Sequence, residues 1–139
     1  WDNRTSGHSN ELKKIIFANN TFVAVGDNSN RTTSIDNGTT WTSRSSSSYV
    51  LNDIAYGNGS FVAIGQSWSI YRSENGTSWS TYINRDTSDY YTLQSITYGN
   101  NIFVIVGLRG VIHTSVDGYK WIARRDYGYE NLNDVIYLK

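Results

Sequence analysis

Short apolar runs recur along this chain at a nearly constant spacing. The segments 22–26 (FVAVG), 61–65 (FVAIG) and 103–107 (FVIVG) are 39 and 42 residues apart. A second run precedes each of them, and its apolar positions fall at Leu51, Ile54 and Tyr56 in the middle copy. The runs have the length of ordinary strands and are rich in β-branched and aromatic residues. No apolar pattern of helical period is long enough for a helix. The pattern therefore predicts an all-β protein.

One repeat holds four predicted strands, which we label a (51–56), b (61–65), c (69–73) and d (79–83). The segments between a and b, and between c and d, carry Gly and Asn, which tolerate the positive φ of a tight hairpin. A tandem array of four-stranded antiparallel units of about 40 residues is typical of β-propeller blades. We predict a propeller segment with three complete blades at about 12–45, 51–84 and 93–125. A lone outer strand (1–4) and a lone inner closing strand (132–137) complete the prediction.

The c–d turn of the first repeat carries a recognisable motif. Residues 34–41 read SIDNGTTW, which resembles the Asp-box pattern Ser-x-Asp-x-Gly-x-Thr-Trp of the BNR repeats. That resemblance implies a propeller of the sialidase and sortilin-like repeat superfamily, with the box at the turn between the third and fourth strands. The families that carry it perform unrelated chemistry, so the box implies fold and not function.

The other two copies of the box depart from the pattern. Both are one residue shorter, and Asn75 replaces the aspartate in the second copy. We assign a structural role to the eleven box residues: Ser34, Asp36, Gly38, Trp41, Ser73, Gly76, Trp79, Ser115, Asp117, Gly118 and Trp121.

Composition excludes several classes of function. Twelve basic residues balance twelve acidic ones, so the chain lacks the basic surface expected of a nucleic-acid-binding protein. It contains no cysteine and only two histidines, so neither a disulfide framework nor a metal site is expected. No apolar run approaches the 18 or so residues of a membrane span. No cofactor is expected.

Three blades do not close a ring, because propellers typically have about 4–8 blades. We therefore expect the remaining blades to come from a longer chain or from other copies of this one.

Candidate binding residues lie on the predicted face that carries the b–c turns and the d–a connections, whose variable loops suit binding. They are Tyr49, Trp68, Arg85, Tyr90, Tyr91, Arg109, Arg124 and Tyr127. Trp68 stands in a turn where the third repeat has Gly110. It is either an exposed platform for a sugar or a protein, or a ring folded over the neighbouring loop.

Three further positions depart from the repeat. Arg31 occupies the place of Ile70 and Ile112. We interpret it as a local shift of register, since that repeat has the longer Asp-box; the alternative is a polar group aimed at a channel or partner. His113 is expected to be a buried strand histidine. Asp53 and Asp134, which share a position in strand a, are expected to be hydrogen-bonding scaffold residues.

These observations favour a non-catalytic, lectin-like binding or scaffold module that recognises a glycan or a protein partner, on a secreted or cell-surface protein. No carboxylate pair is placed for glycoside hydrolysis, and no nucleophile motif is present. The alternative is the C-terminal fragment of a sialidase-like propeller hydrolase whose catalytic residues lie upstream.

Overall fold

The computed structural model of the protein describes residues 3–7, 9–83, 91–125 and 129–138. Its strands form three four-stranded antiparallel sheets, each following chain order. Sheet 1 contains β1 (Leu12–Ala18), β2 (Thr21–Gly26), β3 (Asn30–Ser34) and β4 (Thr42–Arg44). Sheet 2 contains β5 (Leu51–Gly57), β6 (Ser60–Gly65), β7 (Ser69–Ser73) and β8 (Ser80–Ile83). Sheet 3 contains β9 (Leu93–Gly99), β10 (Ile102–Gly107), β11 (Ile112–Ser115) and β12 (Ile122–Arg125). The predicted all-β class and the four-strand repeat are confirmed.

The hairpin turns have the backbone that their residues predict. In all three sheets the a–b turn has two central residues with positive φ, such as 44° at Asn58 and 73° at Gly59. Two successive residues with positive φ are the requirement of a type I′ turn, whose twist matches that of the flanking strands. Asn and Gly tolerate this conformation better than other residues, which is why these turns are legible from sequence.

The core lies between the sheets, which pack against one another in chain order. Val23 and Val25 of sheet 1 pack against Leu51, Ile54 and Phe61 of sheet 2. The opposite side of sheet 2 presents its own apolar residues to sheet 3 in a second cluster. That cluster includes Val62, Ile64, Ile70, Leu93, Phe103 and Ile105. The apolar face of each sheet is therefore buried by the adjacent sheet, as expected of stacked repeats.

The Asp-box closes each c–d turn through its first two polar side chains. In the first copy Ser34 Oγ accepts from Gly38 N at 2.9 Å, and Asp36 Oδ1 accepts from Thr40 N at 2.8 Å. The Thr40 hydroxyl also donates to Asp36 Oδ2 at 2.6 Å, and this bond, followed by that from Thr40 N, lowers the pKa of Asp36 from 3.8 to about 2.

The second copy keeps the arrangement without a charge. Asn75 Oδ1 accepts from the N–H groups of Thr77 and Ser78 at 2.9 and 2.8 Å. A neutral amide oxygen therefore substitutes for the carboxylate, which explains why the motif tolerates Asn at this position.

The predicted shift of register at Arg31 is wrong. Arg31 pairs with Val25 across β2 and β3, just as Ile70 pairs with Ile64 in sheet 2. The extra residue of the first Asp-box lies inside the turn. Ser34 Oγ accepts from Gly38 N, four residues later, whereas in the second box Ser73 Oγ accepts from Gly76 N, three residues later.

The terminal lone strands are not seen as strands. Residues 3–7 and 129–138 contain none, and residues 1 and 2 lie outside the described residues. A strand is defined by its ladder, and none of the described strands pairs with the segment 132–137. It nevertheless makes interblade contacts of a strand a: Leu132 N donates to Gly107 O at 3.1 Å, and the Tyr137 ring lies over Gly99 as Tyr98 lies over Gly57.

One position of strand a links successive repeats. Lys14 Nζ lies 3.8 Å from Asp53 Oδ1. Ser95 Oγ lies 2.9 Å from Asp53 Oδ2 and 2.8 Å from Asp134 Oδ1. The expected scaffold role of the two aspartates matches this row of contacts, which we call the strand-a row.

Within the described residues no helix has the length and apolar character needed to cross a membrane.

Candidate binding site at the Trp68 turn

The b–c turns of the three sheets share one backbone geometry. The central pairs are Asn28 and Ser29, Ser67 and Trp68, and Arg109 and Gly110, and all six residues have φ between 50° and 73°. The left-handed region costs a residue with a Cβ atom roughly 1–2 kcal/mol. Trp68, at φ 56°, therefore carries backbone strain that glycine would not have. Such strain persists only when surrounding contacts fix the residue.

Those contacts bury Trp68. The residue is 5% exposed, and its backbone N–H donates to Tyr91 O at 3.0 Å. Its ring lies edge-on to Tyr91 and His113, with ring centroids 5.8 and 4.8 Å away. Of the two alternatives left open by the sequence, the structure has the packed ring; the exposed platform is wrong. His113 is buried beside it, at 7% exposure.

Arg109 is the exposed member of this group. Its guanidinium carbon lies 5.4 Å from the centroid of the Tyr91 ring, within the range of a cation–π contact. Its backbone N–H donates to Asn131 Oδ1 at 3.1 Å. Tyr91 itself is 4% exposed. Trp68, Tyr91 and Arg109 therefore form one unit, the aromatic–arginine cluster: a buried aromatic pair that supports an exposed cation.

The other predicted site residues lie elsewhere. Tyr49 is 38% exposed, and its carbonyl accepts from Ser29 in the first b–c turn. Arg124 lies on β12, where its Nε donates to Thr114 Oγ1 at 2.8 Å. Arg85, Tyr90 and Tyr127 lie outside the described residues. Binding by any of the eight predicted site residues stays a prediction. The structure brings three of them, Trp68, Tyr91 and Arg109, into contact.

Sequence reasoning missed a groove beside the Asp-boxes of sheets 2 and 3. Its volume is about 400 Å³, and Arg72, Glu74, Trp79 and Tyr119 are among its lining residues. Arg72 stacks on the Tyr119 ring at 4.2 Å and bonds Glu74 at 3.1 Å. It was missed because Glu74, Trp79 and Tyr119 belong to c–d turns to which an architectural role was already assigned, and Arg72 lies near the end of β7 just before one of them. Its cation is paired within the groove, so we assign it no ligand.

Sequence reasoning also missed the environment of Arg31, whose only signal was an arginine in the place of two isoleucines. No group of three or more His, Cys, Asp or Glu side chains suited to a metal ion occurs in the described part of the chain.

Comparison with known proteins yields a fold match. No family model and no curated protein matches the chain. A solved structure described as YCF48 bound to D1 peptide matches 82% of this chain and 39% of its own, with a TM-score of 0.66 and 21% identity. YCF48 from Cyanidioschyzon merolae matches the same shares, with a TM-score of 0.64 and 23% identity. The chain thus spans about two-fifths of the length of these proteins. At this identity the likeness shows the fold alone: the three sheets are similar to part of the YCF48 propeller.

Proposed function

We propose that this chain is a non-catalytic binding module that recognises a segment of a protein partner, with Arg109 as the contacting residue. The observation that carries this proposal is the aromatic–arginine cluster on the b–c turn side of sheets 2 and 3. Arg109 offers exposed guanidinium donors, while Trp68 and Tyr91 are buried beneath it.

The cluster favours binding because its cation is already oriented. A long flexible side chain loses rotamer freedom when it binds, at about 0.5–1.5 kcal/mol. Stacking on the fixed Tyr91 ring removes part of that freedom beforehand. Arginine and aromatic residues are also enriched among the residues that dominate binding energy at protein interfaces.

The comparison supports a protein partner over a glycan. One of the matching structures is described as bound to a peptide, so a protein of similar fold binds a peptide. The partner of that protein is not transferred to this one, because the likeness extends over 39% of it at 21% identity.

The test is selection of a random-peptide display library on the full chain, followed by affinity measurement on the selected peptides. Arg109→Ala is expected to weaken binding by roughly 30-fold, which corresponds to a hot spot of about 2 kcal/mol. Lys120→Ala is the matched control, since it removes an exposed charge from the c–d turn side and should leave the affinity unchanged. Equal affinities for wild type and Arg109→Ala would refute the assignment.

The other classes give different results in parallel assays. Saturable binding on a glycan array without peptide binding would favour a lectin. Turnover of sialosides or β-glucans by the longest natural form of the chain would favour the hydrolase.

A further inference from the structure

The segment 132–137 lies against sheet 3 in the place of a strand a. Asp134 Oδ1 lies 2.8 Å from Ser95 Oγ and accepts from Val135 N at 2.9 Å. In sheet 2, Asp53 Oδ1 accepts from Ile54 N at 2.8 Å in the same way. Together with the interblade contacts at its two ends, these bonds hold the segment where the first strand of a fourth sheet would lie.

One edge of this segment is not paired with any described strand. In each of the three sheets, strand a pairs along its length with strand b. The N–H and C=O groups of successive residues in an antiparallel strand point to alternate edges. Val135 N is directed to the Asp134 side chain, so the backbone groups of Asp134 and Ile136 face the opposite edge, which we call the 132–137 edge. An exposed edge of this kind is a template for another chain.

The apolar surface beside the 132–137 edge is less covered than its counterparts in the other sheets. Val62 of sheet 2 is fully buried, and Phe103 from strand b of sheet 3 belongs to the same apolar cluster. Val104, the counterpart of Val62 in sheet 3, is partly exposed. Val135 is also partly exposed, whereas its counterpart Ile96 is buried. A strand b on the 132–137 edge would cover both valines.

The three strands b of this chain show which sequence such a strand requires. They read FVAVG, FVAIG and FVIVG. Phe103 lies opposite Tyr98 in sheet 3, so the same register places an aromatic residue opposite Tyr137. The third residue of the pattern, which is alanine or isoleucine, then falls opposite Val135.

The glycine that ends each strand b is required by a close approach of backbones. A Cβ atom at Gly26 would overlap Glu11 O. One at Gly65 would overlap Val50 O, and each of these carbonyls belongs to the residue just before strand a. The corresponding carbonyl beside the 132–137 edge is that of Asn131. A strand bound there therefore requires glycine at its fifth position.

We propose that the 132–137 edge binds an extended segment of a partner protein, of the pattern Phe-x-Ile-x-Gly, as an added strand b. Main-chain hydrogen bonds supply affinity in this mode of recognition, and the alternate side chains supply specificity. The partner is a different protein because β2, β6 and β10, the strands b of this chain, are already paired on both edges. A second copy could donate one of them only by breaking a sheet. The 132–137 edge is separate from the aromatic–arginine cluster and does not depend on the proposed function.

The test follows the fluorescence anisotropy of a dye-labelled synthetic peptide, KKGSFVAIGQKK, during titration with the full chain. The peptide carries residues 59–66 of this chain between solubilising lysines, and saturable binding is expected. A scrambled peptide of the same composition should bind at least about tenfold more weakly. The same loss is expected for a peptide with valine in place of the second glycine, because the valine Cβ would meet Asn131 O.

Two protein variants localise the binding. Ile136→Pro removes an N–H that faces the bound strand and should raise the peptide Kd at least about tenfold. Ile136→Val keeps that N–H and should bind as wild type does. The Ile136 side chain is 66% exposed, so both variants are expected to fold; the peptide variants decide the question if Ile136→Pro does not.

Three results would overturn the proposal: no saturable binding of the peptide, equal affinity for the scrambled peptide, or equal affinity of wild type and Ile136→Pro. A reversible dimer that Ile136→Pro abolishes, without peptide binding, would overturn it in favour of a second copy at the 132–137 edge.

Discussion

Trp68 is buried and has a left-handed backbone. We therefore expect Trp68→Gly to be more stable than Trp68→Ala, the reverse of the usual order for these two replacements. Truncation of a buried tryptophan to alanine costs about 3–5 kcal/mol in general, and Trp68 is 5% exposed. Alanine keeps the Cβ atom, so it retains the strain of φ 56°, which amounts to roughly 1–2 kcal/mol. Glycine removes that strain. We expect Trp68→Gly to be more stable than Trp68→Ala by about 1 kcal/mol, although glycine is the poorer residue in regular secondary structure.

The measurement is urea unfolding at equilibrium, followed by far-UV circular dichroism so that the loss of a fluorophore does not matter. Gly110→Ala is the matched control, since Gly110 holds the same turn position with φ 73°, and it should lose about 1–2 kcal/mol. The reasoning fails if Trp68→Ala equals or exceeds Trp68→Gly in stability, or if Trp68→Ala costs less than about 1 kcal/mol.

Three further predictions concern the scaffold. Asp53→Ala should cost about 1–3 kcal/mol in urea unfolding, because the buried Ile96 N, 2.9 Å from its Oδ2, loses its acceptor; an effect near zero would contradict this. Gly118→Ala should destabilise more than Gly59→Ala, since both have φ near 72° but only the former places a Cβ 2.9 Å from a neighbouring methyl group; equal midpoints would show that packing there is loose. The pKa of Asp36 falls from 3.8 to about 2 on folding. Its ionised carboxylate therefore stabilises the fold fully above about pH 4, and this stabilisation is lost as the pH falls toward 2. Asp36→Asn should reduce the loss of stability between about pH 4 and 2, and an unchanged pH dependence would refute this.

The strands and turns were predictable because their signals are local. Asn58 and Gly59 tolerate positive φ wherever they occur, and the apolar positions Leu51, Ile54 and Tyr56 can be recognised without knowledge of the neighbouring sheet. The Asp-box was predictable for the same reason, since its bonds run from Ser34 and Asp36 to amides within four residues.

The alternative left open at Trp68 and the wrong expectation at Arg31 both concern contacts between distant parts of the chain. Trp68 is covered by the side chains of Tyr91 and His113, which belong to the third repeat. Arg31 was misjudged because an extra residue downstream was assigned to the strand, whereas the Asp36 turn absorbs it. The spacing of residues along the sequence does not determine the environment of Trp68 or of Arg31, because each depends on contacts with another part of the chain.

The strand-a row has a consequence for communication between blades. Ser95 has a single hydroxyl proton, and two carboxylates lie within 2.9 Å of its oxygen. It donates to Asp53 or to Asp134 at any one moment, so the contact on one side of β9 competes with the contact on the other. A substitution or ligand that strengthens one of these contacts draws the proton away from its counterpart. The two contacts that Ser95 makes on either side of β9 therefore compete for one proton, so that strengthening either of them weakens the other.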